Sequence, residues 1–195
     1  MRLSVIILAA GSSSRLGQPK QLIEFRGETL IHRTIKIGLT ISDDVLVVLG
    51  ANSDLIQHSI QPLIGKISTV VNPDWEEGMG TSIRTGTQKL AEKSDAMMVL
   101  LCDQPLITQE LLQKIVQTFA NSNASIVACN YGNQLGVPML FDKSIFPELL
   151  KLQGDKGARV FLNNFQDKIT TVYFPEGLFD IDTPEDKISL QAIDI

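Results

Sequence analysis

The chain is short of cysteine and histidine and has no surplus of positive charge, and each shortage argues against a class of protein. Its 2 cysteines, Cys102 and Cys129, lie in apolar, strand-like surroundings without C-x-x-C spacing. They read as buried reduced thiols, not as a disulfide framework or a zinc site. Against 22 acidic residues there are 17 basic ones, a net charge of −5, where a nucleic-acid or membrane-surface protein would carry a basic patch. A small anionic substrate must then be held by local cations. The N-terminal apolar run is short and is interrupted at once by a Gly/Ser loop, so neither a signal peptide nor a membrane span fits, and the cytoplasm is expected. The 2 histidines, His32 and His58, fall in helical stretches and are expected to face solvent. The single tryptophan, Trp75, reads as packing in preference to a ring stacked on a ligand. No internal repeat or low-complexity tract is visible.

What is present is a small-residue loop with two cations, directly after the apolar run Val5 to Leu8. It reads Ala9-Ala-Gly-Ser-Ser-Ser-Arg-Leu-Gly-Gln-Pro-Lys20. A backbone stripped of bulk just after a buried strand can lie against a nucleotide. Amides from Gly11 to Ser14 are free to point at an anion, Arg15 and Lys20 supply charge, and Pro19 stiffens the end of the loop. No Gly-Lys-Ser/Thr closes it as in a P-loop, and Gly11 with Gly17 does not make G-x-G-x-x-G. The loop reads as a nucleoside triphosphate site, with a Ser-rich β-to-α turn bearing surface cations as the structural alternative.

At 195 residues the chain is long enough to bury a full core as one domain, residues 1–195, without a linker. Val- and Ile-rich runs recur at Leu3 to Leu8, Val45 to Leu49, Ile67 to Val71, Ala96 to Leu101 and Ser125 to Cys129. Near-continuous runs of this kind suit strands covered on both faces. Helical patterns alternate with them, clearest over Thr108 to Ala120, where Leu111, Leu112, Ile115, Val116 and Phe119 share one face. The alternation predicts an α/β fold, a Rossmann-like three-layer sandwich with a mostly parallel sheet. After residue 130 come a Gly/Pro segment from Tyr131 to Pro138, the apolar Met139 to Phe141, a helix near Ser144 to Leu152 and a glycine turn at 154–157. This part is expected to break the parallel order and to form the acceptor side of the cleft, leaving about 1–130 as the nucleotide-binding part. The last helix starts at Thr183-Pro-Glu-Asp186, with Thr183 as N-cap and Pro184 in the first turn.

Ligands of a doubly wound sheet lie beyond the carboxyl ends of its strands, so residues just after apolar runs are the candidates. Asp103 follows Met97 to Cys102 and either caps the next helix or holds a metal. Asp180 and Asp182 are two residues apart, point the same way by strand alternation, and are equally eligible. Asp103 with one of them suffices for Mg²⁺, which takes only one or two protein carboxylates. Glu77-Gly-Met-Gly-Thr-Ser82 puts glycines where a flat base can approach. Ser82 either bonds that base, caps a helix near Ser82 to Leu90, or does both. Gly154-Asp-Lys-Gly-Ala-Arg159 offers Lys156 and Arg159 to an anionic acceptor, or is a turn with solvated charges.

Five separated stretches run in order over nearly the whole chain: Leu8 to Leu22, Asn72 to Arg84, Leu100 to Leu106, Gly154 to Arg159 and Asp180 to Asp186. Together they resemble the molybdenum cofactor cytidylyltransferase family, of the nucleotide-diphospho-sugar transferase type of fold. The resemblance implies Leu8, Ala9, Ala10, Gly11 and Ser12 at the nucleotide, Gly80 and Ser82 near its base, and Arg15 and Lys20 on the phosphates. It implies Asp103 and Asp182 on Mg²⁺, with Arg15, Lys20 and Asp103 as the catalytic set. The implied reaction moves CMP from CTP to the phosphate of molybdenum-loaded molybdopterin, giving molybdopterin cytosine dinucleotide and pyrophosphate, with a molybdenum hydroxylase apoenzyme as a partner. Ala9-Ala10-Gly11 and Asp103-Gln104 resemble the cytidylyl branch, and a methyl at Ala10 crowds a purine more than a pyrimidine, so CTP is expected over GTP. One stretch departs from the family: Gly136-Val-Pro138 stands where Gly-His-Pro is usual. Val137 neither donates a hydrogen bond nor titrates, which leaves open another phosphorylated acceptor such as a sugar phosphate. It also leaves open a non-catalytic carrier of the molybdenum cofactor.

Overall fold

The computed structural model describes residues 1–154 and 165–193. The five expected runs form β1 (Leu3–Ala9), β4 (Val45–Leu49), β5 (Ser68–Val71), β6 (Ala96–Leu101) and β7 (Ile126–Asn130). Two further strands join them, β8 (Leu135–Asp142) and β9 (Ile169–Tyr173), in a seven-stranded sheet of order β5-β4-β1-β6-β8-β7-β9. Two-residue strands β2 (Glu24–Phe25) and β3 (Glu28–Thr29) make a separate small ladder. β8 runs antiparallel to both β6 and β7, while the other neighbouring pairs are parallel, so the parallel order breaks after residue 130 as expected. From β1 the chain crosses to β4 and β5 on one side, then returns to β6 on the other. A crevice therefore opens beyond the carboxyl ends of β1 and β6, where strand order reverses.

Among the described residues the helices are α1 (Leu30–Leu39), α2 (Ser53–Ser59), α3 (Met79–Leu90), α4 (Gln109–Ala120), α5 (Phe146–Leu149) and α6 (Pro184–Ile193). Alternation along β1 sends Val5, Ile7 and Ala9 to one face with Ile31 and Ile35 of α1 and Leu112 and Ile115 of α4. Ile6 and Leu8 go to the other face with Ile83 and Leu90 of α3 and Phe146 of α5. The sheet is thus covered on both sides, the predicted three-layer sandwich. Each fully buried Ile or Leu contributes about 1.5–3 kcal/mol. Helix α3 lies so close to β1 that a Cβ on Gly86 would stand 2.8 Å from Ile6 Cγ2.

Several local expectations change. The helix expected near Ser144 to Leu152 is shorter, a 3₁₀ turn at Lys143–Ile145 followed by the single turn of α5, although Leu149 and Leu152 both enter the core and of its leucines only Leu150 is exposed. α3 begins at Met79 with Gly78 (φ 120°) as its N-cap, so Ser82 lies within the helix and caps nothing. Thr108 caps α4 by accepting from Leu111 N–H, so Asp103 is free of that task. His32 is half-buried, with Nε2 2.9 Å from Ser59 O, while His58 is exposed. Cys102 and Cys129 are free and buried, as expected, and burial pushes the Cys129 thiol up to about 12. Among the described residues no helix is long and apolar enough to cross a membrane.

Candidate active site

The loop after β1 is held from beneath. Gln21 Nε2 donates to Ala9 O at 3.0 Å and to Gly11 O at 3.1 Å, spending both amide hydrogens on the carbonyls that flank Ala10. Ser13, in the left-handed region at φ 55°, accepts Lys20 N–H on its Oγ at 3.0 Å and Leu16 N–H on its carbonyl at 3.0 Å. The loop therefore folds back on itself, and Pro19 leads into a 3₁₀ turn, Lys20–Leu22, that returns the Lys20 side chain to the strand ends. At Gly11 an added Cβ would meet nothing within 4 Å, so that backbone is open to the cleft.

Lys20 reaches the two acids that the end of β6 and the C-terminal segment bring together. Its Nζ is 2.6 Å from Asp103 Oδ2 and 2.8 Å from Asp182 Oδ1, and Arg15 Nη2 is 2.7 Å from Asp182 Oδ2. Ile181 N–H donates to Asp103 O at 3.0 Å, stitching the C-terminal segment to the strand end. Asp186 Oδ2 accepts from Asp182 N–H at 3.0 Å, from Thr183 N–H at 2.7 Å and from Thr183 Oγ–H at 2.8 Å. Asp186 N–H returns to Thr183 Oγ1 at 3.2 Å, a capping box that opens α6. Asp182 is aimed by that box.

Burial by itself draws the Lys20 ammonium down. Asp103, by charge and hydrogen bond, and then Asp182 outweigh it and hold Lys20 well above the ordinary lysine range. Burial likewise pushes the Asp182 carboxyl up, but Lys20 and then Arg15 bring it below the usual carboxylate range. Asp180 moves the other way: burial, then the charges of Asp103 and Asp182, raise it. Asp103 Oδ1 is buried with no hydrogen-bond partner among the described residues.

These groups line a cavity of about 830 Å³. Leu8, Ala10, Gly11, Ser12, Arg15, Lys20, Ser82, Asp103, Asp180 and Asp182 are all in its wall. Two expected residues are elsewhere. Ala9, 1 % exposed, turns into the core beneath β1, and Gly80 is buried in the first turn of α3, donating its N–H to Gly154 O at 2.9 Å. Gly78 and Met79 form the wall in its place. Lys156 and Arg159 lie outside the described residues. Ser82 Oγ accepts from Asn72 Nδ2 at 3.0 Å, and the same Asn72 amide donates to Thr81 Oγ1 at 2.8 Å. Trp75, read as packing, is half-buried and forms part of the wall. Gln21, Gln104 and Tyr131 are wall residues that composition and spacing did not single out. Asn72 and Tyr131 directly follow β5 and β7, so the strand-end rule applied to every run points to both.

A small-residue loop, two cations and paired carboxylates lie over the switch point of this mostly parallel sheet, and with the family match that follows they mark a nucleotidyltransferase of the nucleotide-diphospho-sugar transferase fold. The chain belongs to the MobA-like NTP transferase domain family, whose model matches residues 5–169. It is 32% identical over 169 residues to "Nicotine blue oxidoreductase" of Paenarthrobacter nicotinovorans, covering 80% of this chain and 79% of that one. It is 30% identical to "Purine catabolism protein PucB" of Bacillus subtilis, over 93% of this chain and 92% of that one. Identity to the "Molybdenum cofactor cytidylyltransferase" of Escherichia coli is 25%, over 94% and 93% of the two chains. Among solved structures, Rv0371c of Mycobacterium tuberculosis superposes with a TM-score of 0.85 at 26% identity, covering 97% of each chain. A manganese complex of that protein superposes at 0.80 and 24% identity, over 97% of this chain and 98% of that one.

Proposed function

We propose that the protein transfers CMP from CTP to the phosphate of molybdenum-loaded molybdopterin, releasing pyrophosphate and forming molybdopterin cytosine dinucleotide. The observation that carries this reading is the convergence of Lys20, Asp103 and Asp182 at the mouth of the glycine loop. The donor set suits a hard divalent cation. Asp103 Oδ1 is buried and unpaired among the described residues, and the Lys20 ammonium stands between two carboxylates where a cation would bind. Among the described residues no group of three His, Cys, Asp or Glu forms a cage of its own, which fits a metal shared with phosphate oxygens. Asp103 and Asp182 would hold Mg²⁺, which when bound supplies charge neutralisation on the triphosphate.

In this reading the amides of Gly11 and Ser12 face the triphosphate, Ala10 lies beside the base, and Arg15 and Lys20 pass from the carboxylates to the phosphates. An oxygen of the acceptor phosphate forms a bond to the α-phosphorus as the bond from that phosphorus to the bridging oxygen breaks, and the electron pair leaves with pyrophosphate. Lys20 and Arg15 stabilise the charge that grows on the leaving group. The acceptor phosphate is already ionised, so no side chain has to remove a proton. Transfer to another phosphorylated acceptor, such as a sugar phosphate, is the second reading. It is favoured by Val137, an apolar wall residue where the family commonly has histidine.

The test is pyrophosphate release by the purified protein with Mg²⁺ and each of CTP, GTP, ATP and UTP, with and without molybdenum-loaded molybdopterin. Release with CTP only in the presence of that acceptor is expected. Release with a sugar phosphate in its place supports the second reading. Binding of the molybdenum cofactor with no release from any triphosphate points to a carrier that hands it to a hydroxylase apoenzyme.

A further inference from the structure

Gln21 Oε1, Asp103 Oδ1 and Gln104 Oε1 are buried without a hydrogen-bond partner among the described residues, and the Gln104 oxygen has no task in the reaction proposed above. Gln104 is 6 % exposed and forms part of the cavity wall, and its carboxamide can face only one way. The Tyr131 hydroxyl donates its one hydrogen to Val137 O, so toward Gln104 it can only accept. Gly177 O can only accept as well. Gln104 Nε2 serves them at 2.9 and 3.0 Å, which uses both amide hydrogens. Tyr131 is itself held in place: a Cβ on Gly136 would stand 2.6 Å from its Cε2, and one on Gly177 would run into the same ring. Gln104 Oε1 is thereby fixed as an acceptor to which no described residue donates. Sheet order assigns it to one half of the cleft. β6, which leads into Gln104, lies between β1 and β8. The groups that fix its carboxamide come from the end of β7, from β8 and from the segment before Asp180, all on the side away from the β1 loop. The described cations of the cavity wall, Arg15 and Lys20, both belong to that loop. Around Gln104 the described wall therefore offers a hydrogen-bond acceptor and no positive charge.

We infer that Gln104 recognises the acceptor substrate, its Oε1 taking a hydrogen bond from an N–H or O–H on the uncharged part of that molecule, beyond its phosphate. The inference rests on the proposed reading, in which the nucleotide occupies the β1 side of the cleft and the acceptor the other. A buried carbonyl oxygen without a donor is costly, and an incoming N–H or O–H removes that cost. A carboxylate or second phosphate brought to the same place would add another unpaired acceptor. A site of this kind turns away the analogue that lacks the donor, because its own buried polar group is then left unpaired. Ring N–H groups of molybdopterin and hydroxyls of a sugar phosphate share the required chemistry. A simple alkyl phosphate lacks it.

The test is the acceptor kcat/KM for pyrophosphate release from CTP with Mg²⁺, for wild type, Gln104→Met and Gln104→Asn. One arm uses molybdenum-loaded molybdopterin and the other glucose 1-phosphate, so the arm that wild type turns over identifies the source of the donor. Methyl phosphate, with no donor beyond its phosphate, is run as a competitor of the acceptor, and CTP affinity is read by calorimetry. Gln104→Met, matched in volume, should lower kcat/KM about 10- to 100-fold, the weight of one hydrogen bond to a buried group. Gln104→Asn, one methylene shorter, should fall in the same range and keeps the test open if the methionine variant does not fold. Inhibition by methyl phosphate and affinity for CTP should stay as in wild type. If methyl phosphate and CTP weaken along with the acceptor, Gln104 only shapes the cleft. If kcat/KM is unchanged, it does not touch the acceptor. Either result overturns the inference while the transfer reading stands. A wild-type protein that turns over neither acceptor overturns that reading and the inference with it.

Discussion

Lys20→Met should destabilise the protein before any substrate is added, because it strips the counter-charge from a carboxylate that the fold has largely removed from water. The side chains of Lys20 and Asp103 are 18% and 12% exposed, and their charged atoms are 2.6 Å apart. Removing one partner of a buried pair typically costs about 3–5 kcal/mol, since the other charge stays behind uncompensated. Here the remaining exposure, and the Arg15 contact that Asp182 keeps at 2.7 Å, reduce the expected loss to about 2–3 kcal/mol. For a chain of this size that is a fall in Tm of roughly 5–10 °C. The assay is thermal unfolding at neutral pH in the presence of a chelator, so that no stray divalent ion replaces the ammonium. Adding Mg²⁺ should recover part of the loss, and Lys20→Met/Asp103→Asn should be more stable than Lys20→Met alone. A loss below about 0.5 kcal/mol, the size of an exposed pair, would refute the reasoning. So would a double variant no more stable than the single one.

Asp182→Asn should release Arg15 and leave Lys20 held by Asp103 alone, so CTP binding without metal strengthens several-fold while the gain on adding Mg²⁺ shrinks; calorimetry that finds metal-free affinity unchanged would sink the exchange of cations proposed for the site. The same variant should be less stable than wild type above the ordinary aspartate value near 3.8, and the difference should vanish as pH falls through the lower folded pKa of Asp182, as melts from pH 2 to 7 would report. Asp180→Asn should act in the opposite sense, because burial and then Asp103 and Asp182 raise the folded pKa of Asp180 and so penalise its charged form. It should stabilise the protein above that raised pKa and have no effect below 3.8. Solvent screening at this exposed side chain limits the gain to about 0.5 kcal/mol in the same melts. Gly86→Ala should cost about 1–3 kcal/mol by overpacking α3 against Ile6, measured by urea unfolding.

The central strands are legible in the sequence because burial on both faces leaves near-continuous apolar runs, and β1, β4, β6 and β7 appear where those runs fall. Helix α4 is legible for the same kind of reason, its apolar stripe repeating at the helical period between Thr108 and Ala120. β8 is not, because Gly136 and Pro138 inside it give the pattern of a loop. Pairing with β6 on one side and β7 on the other makes it a strand. β9 is short and pairs with β7 at the end of the strand order, so its apolar signal is weak.

At the site, the loop and Asp103 stand out because both follow apolar runs and strand ends carry ligands. Alternation alone left Asp180 and Asp182 equal. The bond from Ile181 N–H to Asp103 O and the capping box at Asp186 select Asp182 as the partner of Lys20. Gly80 looks accessible as sequence, yet the chain returns at Gly154 and uses its N–H. Gln21 looks like any polar residue after a lysine until the loop carbonyls come to lie on it. The sequence by itself determined the periods of its elements, which residues must be buried, and the loop chemistry that marks a nucleotide site, because each is local. The tertiary structure alone decided which side chains meet, since Lys20 is 83 residues from Asp103 and 162 from Asp182. Sheet order brings them together, and no local pattern encodes it.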